Sequence, residues 1–158
     1  MNYSTQMEAA RKNIITEQMR IVAQKEHKDA EEIRALVASG KVVICANKLH
    51  KCLDPNGVGS MLRTKINVNL GVSRDCKDYD VEMSKVMEAV NMGAEAIMDL
   101  SSHGDTTEFR RKLTRECPAM IGTVPVYDSV IHYQRDLATL TAKDFIDVVR
   151  LHAQDGVD

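Results

Sequence analysis

Tryptophan is absent from this 158-residue chain, and only six aromatic residues, four Tyr and two Phe, are present. So few ring faces argue against a base-stacking module. A formal charge of −2 gives no reason to expect nucleic acid or an anionic membrane surface as partner. There is no apolar run long enough to cross a bilayer and no secretory leader, which predicts a cytoplasmic protein with no membrane partner. Asn2-Tyr3-Ser4 fits the glycosylation pattern but, without a leader, reads as a chance match. The four cysteines, Cys45, Cys52, Cys76 and Cys117, never form a C-x-x-C pair. That spacing excludes the usual zinc and iron–sulfur ligand sets within these residues and predicts reduced thiols. By length the chain is a single domain with ample material for a core.

The most informative stretch is Lys65-Ile66-Asn67-Val68-Asn69-Leu70-Gly71. Ile66, Val68 and Leu70 alternate with Lys65, Asn67 and Asn69, the period of a β-strand with one apolar and one polar face. Helix and strand patterns then succeed one another, which favours an α/β fold with a parallel sheet covered by helices. In a closed (β/α)8 barrel the apolar face packs on the helices and the polar face points into the mouth. An edge strand with solvated asparagines is the alternative reading of the same alternation.

Upstream, Thr5-x-x-Glu8, Thr16 and Asp29-x-x-Glu32 predict three capped helices. Gly40 terminates the third, Val42-Val43-Ile44 is a short strand, and Asn47 to Ser60 reads as a turn-rich loop. Residues 1–60 are therefore expected to form a mostly helical accessory region, and residues 61–158 the first three βα units of an incomplete barrel. In that second part, Met83, Val86, Met87 and Val90 mark a helix and Ala96 to Leu100 a strand. Asp105-x-x-Glu108 caps a helix with Phe109 and Leu113 inward and Arg110, Arg111, Lys112 and Arg115 outward, a solvated basic face. Ala119 to Val124 is the third strand. Asp128 to Leu140 is a long connection before a helix opened by Thr141-x-x-Asp144, whose apolar stripe includes His152. A histidine so placed reads as a satisfied core residue. Val157-Asp158 reads as the first step of a fourth strand, so the barrel is expected to be unfinished.

Asn69, Met98 and Tyr127 recur at intervals of 29 and 29 residues, each at or just past the end of successive strands. Ligand contacts in such barrels come from the carboxyl ends of the strands, so an amide, a thioether and a phenol converge on one mouth in this reading; coincidence is the alternative.

Several blocks resemble the phosphomethylpyrimidine synthase family in order along the chain. They are Ala46-Asn47, Ile66 to Gly71, Ala96 to Ser101, Ile121 to Tyr127 and Asp155 to Asp158. The resemblance implies a homodimeric radical S-adenosylmethionine carbon–carbon lyase on a (β/α)8 barrel, rearranging 5-aminoimidazole ribotide. It implies an iron–sulfur cluster, S-adenosylmethionine and zinc, with ligands absent from this chain. It assigns substrate binding to Asn69, Met98 and Tyr127. Asn-Val-Asn-Leu-Gly-Val-Ser and Pro-Val-Tyr-Asp-Ser-Val are closer to the 5-hydroxybenzimidazole synthases of cobalamin biosynthesis. The thiamin enzymes more often read Asn-Ala-Asn-Ile-Gly and Pro-Ile-Tyr-Gln-Ala. The expected product is thus 5-hydroxybenzimidazole, with the thiamin pyrimidine as the alternative. A non-catalytic remnant that binds or dimerises is the alternative of another class. The 158 residues alone are expected to be inactive and, with open sheet edges, poorly stable as a monomer.

Overall fold

A computed structural model of the protein describes residues 3–158; Asn2, and with it the glycosylation match, lies outside the described residues. The chain divides into two compact units, Met1–Ala46 with Pro55–Lys65, and Asn47–Asp54 with Ile66–Asp158.

The first unit holds helices α1 (Gln6–Arg11), α2 (Glu17–Lys25) and α3 (Ala30–Ala38) and strands β1 (Val42–Ile44) and β2 (Gly57–Gly59). The helices start where short side chains satisfy free backbone N–H groups. Thr5 accepts from Glu8 N–H, Thr16 from Met19 N–H, and Asp29 from Glu31 N–H. Ala9, Met19, Val22, Ile33 and Val37 form the core with β1. Glu32 pairs with Lys28 instead of closing a box with Asp29. The expected loop over 47–60 contains β2, which pairs antiparallel with β1 in the register Val42↔Gly59 and Ile44↔Gly57. Gly57 mimics a turn signal in sequence, but its role is close packing. A Cβ there would stand 2.8 Å from both Leu62 Cδ1 and Val22 Cγ1. Lys65, read as the polar start of a strand, lies before it and forms a buried ion pair with Glu26.

The second unit is a parallel three-stranded sheet, β3 (Asn67–Leu70), β4 (Ala96–Asp99) and β5 (Met120–Thr123), in sequential order. Helix α4 (Tyr79–Asn91) links β3 to β4, and α5 (Thr106–Glu116) links β4 to β5, the crossover that parallel pairing demands. Val68, Ile97 and Ile121 stand side by side and pack on Met83, Val86, Phe109 and Leu113. Ile66 does not join them: it precedes β3 and is 58% exposed. Two more helices follow, α6 (Pro125–Tyr133) and α7 (Ala142–Gln154), which pack on each other. The sequence reading has a connection where α6 lies, because Val124 offers no side-chain cap and only Pro125 at the first position signals a start. Helix α7 opens with a full reciprocal box between Thr141 and Asp144. The described residues form a mixed α/β structure in which neither sheet closes on itself. Among them no helix is long and apolar enough to cross a membrane.

Candidate functional site

Alternation along the parallel strands separates two sets of side chains. Asn69, Met98 and Gly122 are direct register partners across β3, β4 and β5, on the face opposite Val68, Ile97 and Ile121. Asn69 is exposed, and its Oδ1 accepts from Asn67 Nδ2 at 3.1 Å. Its own amide nitrogen remains available to a ligand. The Met98 thioether lies across Gly122, where an added Cβ would meet Cε at 2.8 Å and Sδ at 3.1 Å. The structure therefore brings Asn69 and Met98 together. Tyr127 is carried separately, on the first turn of α6, four residues past the end of β5 and 49% exposed.

On the other face, the same strand ends lead into a buried polar network that sequence reasoning missed. Asp99 ends β4, and its Oδ1 accepts from the Ser101 N–H at 2.9 Å and from the Ser101 hydroxyl. Burial pushes the Asp99 carboxyl above its ordinary value, against those hydrogen bonds and the charge of Arg110. Gly71 closes over this corner: a Cβ there would lie 2.5 Å from Ser101 N and 2.9 Å from Asp99 Oδ1, and φ is 142°. The Gly71 N–H donates to Glu82, so the turn leaving β3 is held on α4.

Arg110 is the centre of the network. The outward basic face expected of α5 is corrected at one position: Arg111 and Arg115 are exposed, but Arg110 is only 2% exposed. Its Nε and Nη2 reach Asp155 at 2.9 and 2.8 Å, and its Nη1 reaches Asp128 at 3.2 Å and Thr106 at 3.0 Å. Two carboxylates satisfy its fork, which makes an inward arginine affordable in an otherwise apolar layer. The available signal is the run Thr106, Arg110, Thr114 at four-residue spacing, one stripe beside Phe109 and Leu113. Asp128 also accepts from Thr106 and meets His152 Nε2 at 2.8 Å, while His152 Nδ1 meets Thr123 Oγ1 at 2.8 Å. Burial raises the Asp128 carboxyl, but the His152 and Thr106 hydrogen bonds and the Arg110 charge outweigh it and hold it at about 2. The space among Asp99, Thr106, Arg110, Thr123, Asp128 and His152 is about 10 Å³, too small for a substrate. His152 is thus a satisfied interior histidine.

The cysteines do not make a cluster site. All four are free thiols, and Cys45 lies in the first unit while the other three lie in the second. Burial pushes the Cys117 thiol up to about 11, the opposite of what a thiolate ligand needs. Among the described residues no group of three His, Cys, Asp or Glu side chains is arranged to hold a metal ion. Neither an iron–sulfur cluster nor zinc fits the donors present here.

The fold and these strand-end residues sit in a chain whose residues 5–158 match the model of the Radical SAM ThiC family, and the protein belongs to that family. An iron–sulfur cluster and S-adenosylmethionine are the cofactors that membership implies. The chain is 60% identical over its 158 residues to the phosphomethylpyrimidine synthase of Alkaliphilus oremlandii (strain OhILAs) and 59% identical to that of Clostridioides difficile (strain 630). Identity to the Clostridium kluyveri (strain NBRC 12016) enzyme of the same name is 57%. Each match covers the whole of this chain and 36% of the relative.

These relatives overturn the expected 5-hydroxybenzimidazole product. Of the residues that favoured it, Val126 and Val130 are exposed and four others are held in the fold. Val68 and Leu70 lie against the core of the second unit, Asp128 accepts from Thr106 and Arg110, and the Ser129 hydroxyl donates to the Pro125 carbonyl.

Proposed function

We propose that these residues belong to a phosphomethylpyrimidine synthase, a radical S-adenosylmethionine lyase of thiamin biosynthesis acting on 5-aminoimidazole ribotide. The observation that carries the reading is 60% identity to a protein of that name along the whole chain. The three parallel strands are the first of a (β/α)8 barrel in this reading, and Asn69, Met98 and Tyr127 form one wall of its mouth. Asn69 offers a donor and an acceptor to the aminoimidazole edge, Met98 a soft apolar surface, and Tyr127 a ring face or hydroxyl. All three bind; none shuttles a proton or generates a radical. The cluster ligands, and those of zinc if the enzyme holds it, come from residues outside these 158. The working enzyme is a cytoplasmic homodimer without nucleic-acid or membrane partners.

The test is calorimetric titration of 5-aminoimidazole ribotide into a protein of the relatives' full length that carries these residues. Asn69→Ala is expected to cost about 0.5–1.5 kcal/mol of binding, the worth of one neutral hydrogen bond. Unchanged affinity would remove Asn69 from the site.

A further inference from the structure

Tyr127 and Asp128 are neighbours on the first turn of α6, one half exposed and the other buried. Successive residues of a helix point about 100° apart, so whatever fixes Asp128 also fixes the direction of Tyr127. This end of α6 has no side-chain cap. Its anchor is Asp128, which accepts from Thr106 and Arg110 on α5 and contacts His152 on α7. His152 in turn contacts Thr123, the last residue of β5. The first turn of α6 is thereby tied to a strand end and two helices. Thr123, His152 and Asp128 stand in the order of a hydroxyl–imidazole–carboxylate relay. The same carboxylate, however, serves Thr106 and Arg110, and the space of about 10 Å³ beside it is too small for a substrate, so the assembly is an anchor.

We propose that Asp128 is a positioning residue that aims Tyr127 at the substrate through the first turn of α6. The proposal rests on the reading of Tyr127 as a substrate contact. It is tested by a double-mutant cycle in a protein of the relatives' full length, with the affinity for 5-aminoimidazole ribotide as the readout. Asp128→Asn is expected to weaken binding about tenfold in the parent and less than about twofold in a Tyr127→Ala background, because coupled residues are non-additive. A purely structural role would weaken both backgrounds equally. Equal losses, or no loss in the parent, overturn the positioning role while leaving Tyr127 in the site. Parent-like affinity in Tyr127→Ala alone overturns the site reading and the proposal with it. If Asp128→Asn does not fold, Thr106→Val removes one of the Asp128 hydrogen bonds at nearly constant volume, and the same cycle decides.

Discussion

His50 and Asp158, 108 residues apart, are joined by a buried contact of 2.6 Å between the ring Nδ1 and a carboxylate oxygen. The other ring nitrogen of His50 lies 2.7 Å from the Cys117 carbonyl oxygen. Both nitrogens face oxygen atoms, an arrangement that favours the doubly protonated ring. Burial lowers its pKa, but the Asp158 carboxylate and the Cys117 carbonyl outweigh that and raise it. The same carboxylate accepts from the backbone N–H groups of Asn47 and Ile121, and the Asn47 side chain donates to the carbonyls of Ala153 and Val157. His50 thus helps pin residues 47–54 within the second unit.

That contact makes stability depend on pH. A histidine whose folded pKa exceeds the unfolded value of about 6.5 contributes fully below that pH. The contribution disappears as pH rises through the folded pKa. Urea titrations are expected to show stability falling as pH rises above about 6.5. His50→Gln should lower stability by about 1–3 kcal/mol at pH 6 and flatten the alkaline fall. An equally steep fall in the variant would assign the pH dependence elsewhere.

Arg110 and Arg115 belong to one basic run but differ in consequence. Arg110→Met leaves the Asp128 and Asp155 carboxylates buried without their shared partner and is expected to cost about 3–5 kcal/mol. Arg115, exposed and paired with its neighbour Glu116, should cost less than about 1 kcal/mol when replaced by Met. Equilibrium unfolding of the two variants separates the cases; equal losses would contradict the buried network.

Gly122 and Gly71 predict opposite outcomes for the same change to alanine. At Gly122 the new methyl meets only the flexible end of Met98, so the fold should survive while Met98 moves and ribotide affinity falls. At Gly71 it meets the Ser101 backbone at φ 142°, which should destabilise by at least about 1–3 kcal/mol. Melting curves and ribotide titration read both. Parent-like ribotide binding by Gly122→Ala would argue against Met98 as part of the wall.

Anaerobic reconstitution of the 158-residue chain with iron and sulfide is expected to give no cluster, since no three donors converge among the described residues. Iron analysis and the absorption spectrum check this. Stoichiometric iron together with turnover of 5-aminoimidazole ribotide would overturn it.

What could be read from the sequence was local. Thr5, Thr16, Asp29, Asp105 and Thr141 announce helix starts because a cap is a hydrogen bond to an N–H two or three residues on. The alternation from Asn67 to Leu70 announces β3, because side chains on a strand change face at every residue. Parallel pairing of β3, β4 and β5 follows from the intervening helices, and pairing in that register makes Asn69 and Met98 partners. What tertiary structure alone decided is the state of the charged residues. Arg110 looks like one more cation in a basic run until Asp128 and Asp155, 18 and 45 residues away, are brought to it. His50 looks like a loop residue until Asp158 closes on its ring. The physical reason is common to these cases. Caps and alternation depend on neighbours a few bonds away, whereas the burial of a charge is stable only when a distant partner is already in place.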